Sequence, residues 1–163
     1  MVRVLFVCMG NVCRSPMAQC VFEELVRREG LEGEVESDSA GTHAHYHLGD
    51  PPDPRAMESA AARGLDIGSQ RSRLFEPEDC ERFDYVLAMD EENYREVSAS
   101  CDMVSSGAEV GLFLDFAPGV PETEIPDPYH GGPEGFERAM DLAERVSGGL
   151  LDHIREHHLS RHV

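Results

Sequence analysis

The sequence predicts an α/β fold, a single domain over residues 1–163 in which four parallel strands carry helices on both faces. Three observations carry this expectation. Residues 2–7, VRVLFV, form a short, β-branched and almost wholly apolar run, as expected of a central strand covered on both sides. Strand-like runs then alternate with helix-like ones, the order that right-handed crossovers turn into a parallel sheet. No repeat, low-complexity tract or linker divides the 163 residues, a length that one core can serve.

Each element follows from local pattern. After the first strand comes the loop CMGNVCRS, and Pro16 stands where the first turn of a helix tolerates it. Met17, Ala18, Val21, Phe22, Leu25 and Val26 recur at helical spacing, and Gly30 stops that helix. A short, polar strand is expected at 34–37, at an edge of the sheet. Residues 39–54, rich in His, Gly, Asp and Pro, predict a long surface loop, and 55–63 an Ala-rich helix stopped by Gly64. Strand character returns at 85–88, directly before a helix start marked by Asp90, Glu91 and Glu92. A fourth strand is expected at 110–114, a Pro- and Gly-rich loop at 117–133, and a closing amphipathic helix at 134–158. Ligands of such folds bind beyond the carboxyl ends of the strands, which is where Cys8 falls.

Charge narrows the partners. Asp and Glu number 32 against 14 basic residues, all of them Arg, giving a net charge of -18. Nucleic acid and anionic membranes should be repelled, and neither is expected as a partner. An acidic surface without Lys suits a salty cytoplasm. No apolar run is long enough to span a membrane, and the opening run lacks the length and small-residue cleavage site of a secretory signal. A cytoplasmic location is expected. The five cysteines, Cys8, Cys13, Cys20, Cys80 and Cys101, are an odd number for a reducing compartment. A disulfide framework is not expected, and catalytic or redox use of one or two thiols is.

The loop at residues 8–15 carries the chemistry. Cys8 is followed by five residues, Met9, Gly10, Asn11, Val12 and Cys13, and then by Arg14 and Ser15. A loop running into a helix N-terminus aims several backbone N–H groups at one point, a socket for a phosphate dianion. The same field favours the thiolate of a Cys at its centre, and a thiolate can attack phosphorus to form a phosphocysteine. Arg14 brings a planar fork for two phosphate oxygens, and Ser15 can donate a hydrogen bond to the sulfur. Gly10 lets the backbone curl around the anion, and Asn11 suits a left-handed position. The alternative is an inert buried thiol in a tight turn. A proton donor for the leaving group is also required. Asp127 lies in IPDPYHGG between two prolines, where it either serves that role or simply starts a turn.

VLFVCMGNVCRSPMA, DSAGT, GDPPDPRA, FDYVLAMDEEN and DPYHG, in this order, resemble the low-molecular-weight protein tyrosine phosphatases over nearly the whole chain. The resemblance implies a flavodoxin-like strand order 2-1-3-4. It also implies hydrolysis of protein phosphotyrosine without a cofactor, releasing inorganic phosphate. Asp127 matches the family's general acid and base, and Tyr129 an aromatic at the pocket entrance. His130 stands where many relatives carry a second Tyr. Asn11 and Ser39 match residues that hold the phosphate loop in shape, and Gln70 falls near a His of many relatives. An aromatic residue of the loop HAHYHLG should stack on the substrate ring, Tyr46 first and His45 or His47 next. Three alternating histidines also raise a metal site, but nothing supplies a fixed frame, and no metal is expected. Cys13 is implied to protect Cys8 through a reversible disulfide. Cys20 and Cys80 are expected to pack, and Cys101 carries no expectation.

Two other enzymes share the scaffold, and a binding module is the alternative from another class. Arsenate reductases need two further cysteines close together, and Cys80 and Cys101 lack that spacing. Protein arginine phosphatases tend to carry Thr where this chain has Val12, whose methyl surface suits an aromatic ring. A phosphotyrosine-binding module without activity would be expected to lack Cys8, Arg14 or Asp127.

Overall fold

The computed structural model describes residues 1–104 and 107–159. The domain expected at 1–163 also includes residues 105–106 and 160–163, which lie outside the described residues. Among the described residues, four strands form one parallel sheet in the order β2-β1-β3-β4. The apolar opening run is β1 (Val2–Cys8), flanked by β2 (Val35–Gly41) and β3 (Tyr85–Ala88), with β4 (Glu109–Leu112) beyond β3.

Alternation along β1 explains why every side chain in it is apolar after Arg3. Val4, Phe6 and Cys8 enter the core shared with α1 (Arg14–Arg28) and α5 (Pro133–Ile154), while Leu5 and Val7 enter the core on the other face. Phe6 meets Phe22 of α1 and Phe113 edge-on, with ring centroids 5.7 and 5.2 Å apart. The opposite face is covered by α3 (Asp79–Arg82) and α4 (Glu91–Asp102), which contribute Cys80, Val97 and Cys101. Between β2 and α3, Asp53 caps α2 (Pro54–Ala61) by accepting a 2.8 Å hydrogen bond from the Arg55 N–H.

Several bounds differ from expectation. β2 runs on to Gly41 because its backbone pairs with β1 as far as Cys8, whatever its polar and small side chains would prefer. Residues 39–41 are therefore strand, and Ala44–Tyr46 form a 3-10 turn with Ala44 buried. β4 ends at Leu112, and Phe113–Phe116 coil so that Phe113 joins the core under α5. The final helix ends at Ile154 and continues over Arg155–Leu159 with wider, π-type spacing. At four residues, α3 is too short to leave a periodic signal.

The cysteine expectation needs correction. Cys80 and Cys101 form a disulfide with Cα atoms 5.4 Å apart, across 21 residues of sequence. Both are buried in the core on the α3–α4 face, and the packing of those helices brings together thiols whose spacing conceals their proximity. Cys8, Cys13 and Cys20 are free. No described helix is long and apolar enough to cross a membrane.

Candidate active site

The loop after β1 curls until its own groups surround the Cys8 sulfur. The Asn11 N–H approaches Sγ at 3.3 Å and Ser15 Oγ lies 3.0 Å from it. Asn11 makes the curl possible by adopting φ 57°, a left-handed conformation that Asn tolerates. Its side chain then fixes the turn: Nδ2 donates to Ser15 Oγ at 2.8 Å and to Ser39 Oγ at 2.9 Å, and Oδ1 accepts from the Arg73 N–H at 2.9 Å. With Asn11 donating into the Ser15 oxygen, the Ser15 hydrogen is left for the sulfur or for the Ala40 carbonyl at 3.5 Å. The shorter contact is to the sulfur.

The end of β2 supports the loop from below, with Thr42 N–H on the Cys8 carbonyl at 2.9 Å and His43 N–H on the Met9 carbonyl at 2.8 Å. Gly41 is required there, because a Cβ would lie 2.6 Å from the Met9 carbonyl oxygen. Ser72 Oγ donates to the Gly10 carbonyl at 2.9 Å. Gln70 does not join this set; its Nε2 donates to the Pro16 carbonyl at 3.2 Å. The supporting groups from this segment are thus Ser72 and the Arg73 backbone, which no sequence signal distinguishes.

Arg14, fully buried at the start of α1, is aimed by two acceptors. Nη1 donates to Asp90 Oδ2 at 2.6 Å and to the Ile125 carbonyl at 2.9 Å, while Nη2 lies 3.7 Å from Asp127 Oδ2. Burial, the largest single influence, disfavours the charged guanidinium, yet Cys8, the Asp90 hydrogen bond and Asp127 together hold its pKa above the ordinary arginine value. Asp90 was legible only as a helix start. Its other oxygen caps α4 by accepting from the Asn93 N–H at 2.8 Å, so one carboxylate both starts a helix and orients Arg14.

Asp127 presents one oxygen to Arg14 and the other to the Tyr129 N–H at 3.1 Å. Cys8, Arg14 and Asp127 share a cleft of about 220 Å³ with Val12, His47 and Tyr129. Within the loop HAHYHLG, Tyr46 reaches the rim of this cleft but is 80% exposed, and His45 lies against Tyr46 with ring centroids 4.1 Å apart. His47 forms the nearer wall. A Cβ on Gly10 would lie 3.3 Å from its Cδ2, and its ring meets Tyr129 edge-on at 6.2 Å. Among the described residues, no group of three or more His, Cys, Asp or Glu side chains is placed to hold a metal ion.

Cys13 is buried within the loop, and that burial, with Cys8, Asp53 and Asp127 nearby, pushes its thiol pKa far up. Cys20 is pushed up to about 11, by burial first and then by Glu23, Glu24 and Asp66.

A thiol cradled by a strand-to-helix loop, an immobilised guanidinium and a carboxylate across the cleft make a site that can take a phosphate monoester in a cysteine-based phosphoryl transfer. The profile of the low molecular weight phosphotyrosine protein phosphatases matches residues 3–160. A low molecular weight protein-tyrosine-phosphatase of Streptomyces coelicolor is 39% identical over 156 residues, covering 94% of each chain. A protein tyrosine phosphatase of Entamoeba histolytica superposes with a TM-score of 0.89 at 35% identity, over 96% of this chain and 98% of that one. A Drosophila arginine phosphatase superposes with a TM-score of 0.87 at 31% identity, over 93% and 97%. The chain belongs to the low molecular weight phosphotyrosine protein phosphatase family.

Proposed function

We propose that this chain hydrolyses protein phosphotyrosine through a phosphocysteine intermediate formed on Cys8, with inorganic phosphate as product and no cofactor. The observation that carries this is the convergence of Cys8, Arg14 and Asp127 on one cleft. In the first step the Cys8 thiolate attacks phosphorus, the S–P bond forms and the bond to the tyrosyl oxygen breaks. Asp127 supplies the proton that oxygen takes. Arg14 holds two equatorial oxygens as charge moves onto them. In the second step Asp127, now a carboxylate, takes a proton from the attacking water. The S–P bond breaks with its electron pair returning to sulfur, which Ser15 stabilises by its hydrogen bond. Asn11 and Ser39 keep the loop in shape, His47 and Tyr129 form the walls for the ring, and Tyr46 lies at the rim. Cys13 is the resolving thiol if Cys8 is oxidised: peroxide converts Cys8 to a sulfenic acid, and Cys13 displaces water from it to form a disulfide.

The charge of -18 supports protein substrates rather than nucleic acid or anionic membranes. An arginine phosphatase is the second reading, favoured by the likeness to the Drosophila structure. Against arsenate reduction, Cys80 and Cys101 are already bonded to each other in the core on the α3–α4 face of the sheet, whereas Cys8 belongs to the core on the other.

The test is turnover of a phosphotyrosine peptide, phosphoarginine and arsenate by the wild type and Cys8→Ser. Phosphotyrosine should be the fastest substrate, and the Ser variant should lose turnover while still binding vanadate. A Ser variant that kept a tenth of the activity would sink the nucleophile assignment.

A further inference from the structure

Asp127 sits in an irregular stretch between β4 and α5, so its position over the phosphate loop must be set by contacts from elsewhere. On its N-terminal side the anchors are clear: Ile125 is buried, its N–H donates to the Met89 carbonyl at 2.9 Å, and its carbonyl accepts from Arg14 at 2.9 Å. On its C-terminal side Pro128 is buried against Gly135 of α5, and the hydrogen-bonding anchor is a side chain from α2. Arg55 Nη2 donates to the Tyr129 carbonyl at 2.8 Å and Nη1 to the Gly131 carbonyl at 3.3 Å. The guanidinium lies over the Phe136 ring at 4.8 Å and the Tyr129 ring at 5.6 Å.

The other side of the same guanidinium is clamped. Nε and Nη2 each reach an oxygen of Asp53 at 3.0 Å, a bidentate pair on a carboxylate that is 10% exposed. Asp53 is in turn tied to the phosphate loop, since its N–H donates to the Val12 carbonyl at 2.8 Å. A continuous path of short contacts therefore runs from Val12 through Asp53, Arg55 and Tyr129 to Asp127, joining the loop of the nucleophile to the loop of the acid. Lys could not reproduce it, because a point charge cannot grip a carboxylate in two places and still reach two carbonyls.

From this geometry we infer that Arg55 is a positioning residue for Asp127: it holds the acid-bearing loop at the place where the carboxyl reaches the leaving oxygen. The inference rests on Asp127 as the proton donor proposed above. A misplaced acid matters only when the leaving group needs its proton. Arg55→Met should therefore lower kcat for a phosphotyrosine peptide roughly tenfold or more, a part of the 10²–10⁴ that positioned proton transfer supplies. For an aryl phosphate with an acidic phenol, such as 4-nitrophenyl phosphate, the loss should be much smaller. KM and inhibition by inorganic phosphate should move little, because the socket at Cys8 is untouched.

The decisive measurement is a double-mutant cycle with Asp127→Asn on both substrates, using the full chain. If Arg55 acts through Asp127, Arg55→Met in the Asp127→Asn background costs little more, and Arg55→Lys fails to restore the phosphotyrosine rate. Equal losses on both substrates, additive losses in the cycle, or weakened phosphate inhibition would overturn the inference and assign Arg55 to the phosphate loop or to folding. Should Arg55→Met not fold, Arg55→Lys carries the same cycle, and additivity there overturns the inference equally. Failure of the underlying reading looks different, because Asp127→Asn alone would then show no dependence on the leaving group.

Discussion

Val12 lines the cleft at a place where one side chain would bear on the choice of substrate. It is buried against the cleft, its carbonyl is held by Asp53, and its side chain offers two methyl groups and no donor or acceptor. A flat tyrosyl ring is stabilised by that surface, whereas a phosphoguanidinium gives up water there without finding a partner. Each lost partner costs about 1–3 kcal/mol, roughly a ten- to hundredfold preference. Wild-type enzyme should hydrolyse phosphotyrosine far faster than phosphoarginine, and Val12→Thr should narrow the ratio from both sides. A wild-type preference for phosphoarginine would reverse the substrate assignment even with the catalytic residues correctly named. Cys8, Arg14 and Ser15 were legible because the chemistry dictates their spacing along one loop. Asp90, Ser72 and Arg55 were not, because each meets its partner in the site across more than fifty residues of sequence and looks locally like a cap, a loop serine or a surface arginine. His47 ranked behind Tyr46 for a related reason: the 3-10 turn at Ala44–Tyr46 decides which side chain faces the cleft, and three residues leave no period to read.

At the scale of elements, β1 and β3 were legible almost to the residue, because a strand buried on both faces must be apolar throughout. β2 was underestimated since its last residues are strand by pairing with β1 rather than by composition. The Cys80–Cys101 bond was hidden for the same kind of reason, as it depends on α3 packing beside α4. It closes a loop of 21 residues, which in the chain-entropy account is worth about 3 kcal/mol. The paired Cys80→Ala and Cys101→Ala variant should therefore unfold at a markedly lower urea concentration while keeping turnover, since the pair lies in the core away from Cys8. Thiol titration in denaturant without reductant should find the 3 free thiols, Cys8, Cys13 and Cys20. Finding all 5 cysteines reactive would show the helices packed without the bond.

For the whole molecule, charge sets a balance that no single contact reveals. With 32 carboxylates against 14 arginines, even complete pairing leaves an excess of -18 spread over a small surface. Screening by salt weakens both the attraction within pairs and the repulsion among the excess, so the outcome depends on which is larger. Many of the pairs are exposed, such as Arg3–Glu36 with about half of each side chain accessible, and pairs of that kind contribute about 0–1 kcal/mol each. The pairs that matter most, Arg14–Asp90 and Asp53–Arg55, have at least one partner largely out of solvent and are screened least. Repulsion among surface carboxylates has no such shelter and is removed as the screening length falls to about 10 Å at 0.1 M salt. Sodium chloride between low salt and about 0.5 M should therefore raise Tm at neutral pH, an ordering chosen because chloride lacks the strong exclusion effect of sulfate. Activity on a phosphotyrosine peptide with acidic flanks should rise over the same range, because the same field repels such a substrate. A Tm that falls steadily with salt would mean that the ion pairs, and not the excess charge, dominate the electrostatics of folding.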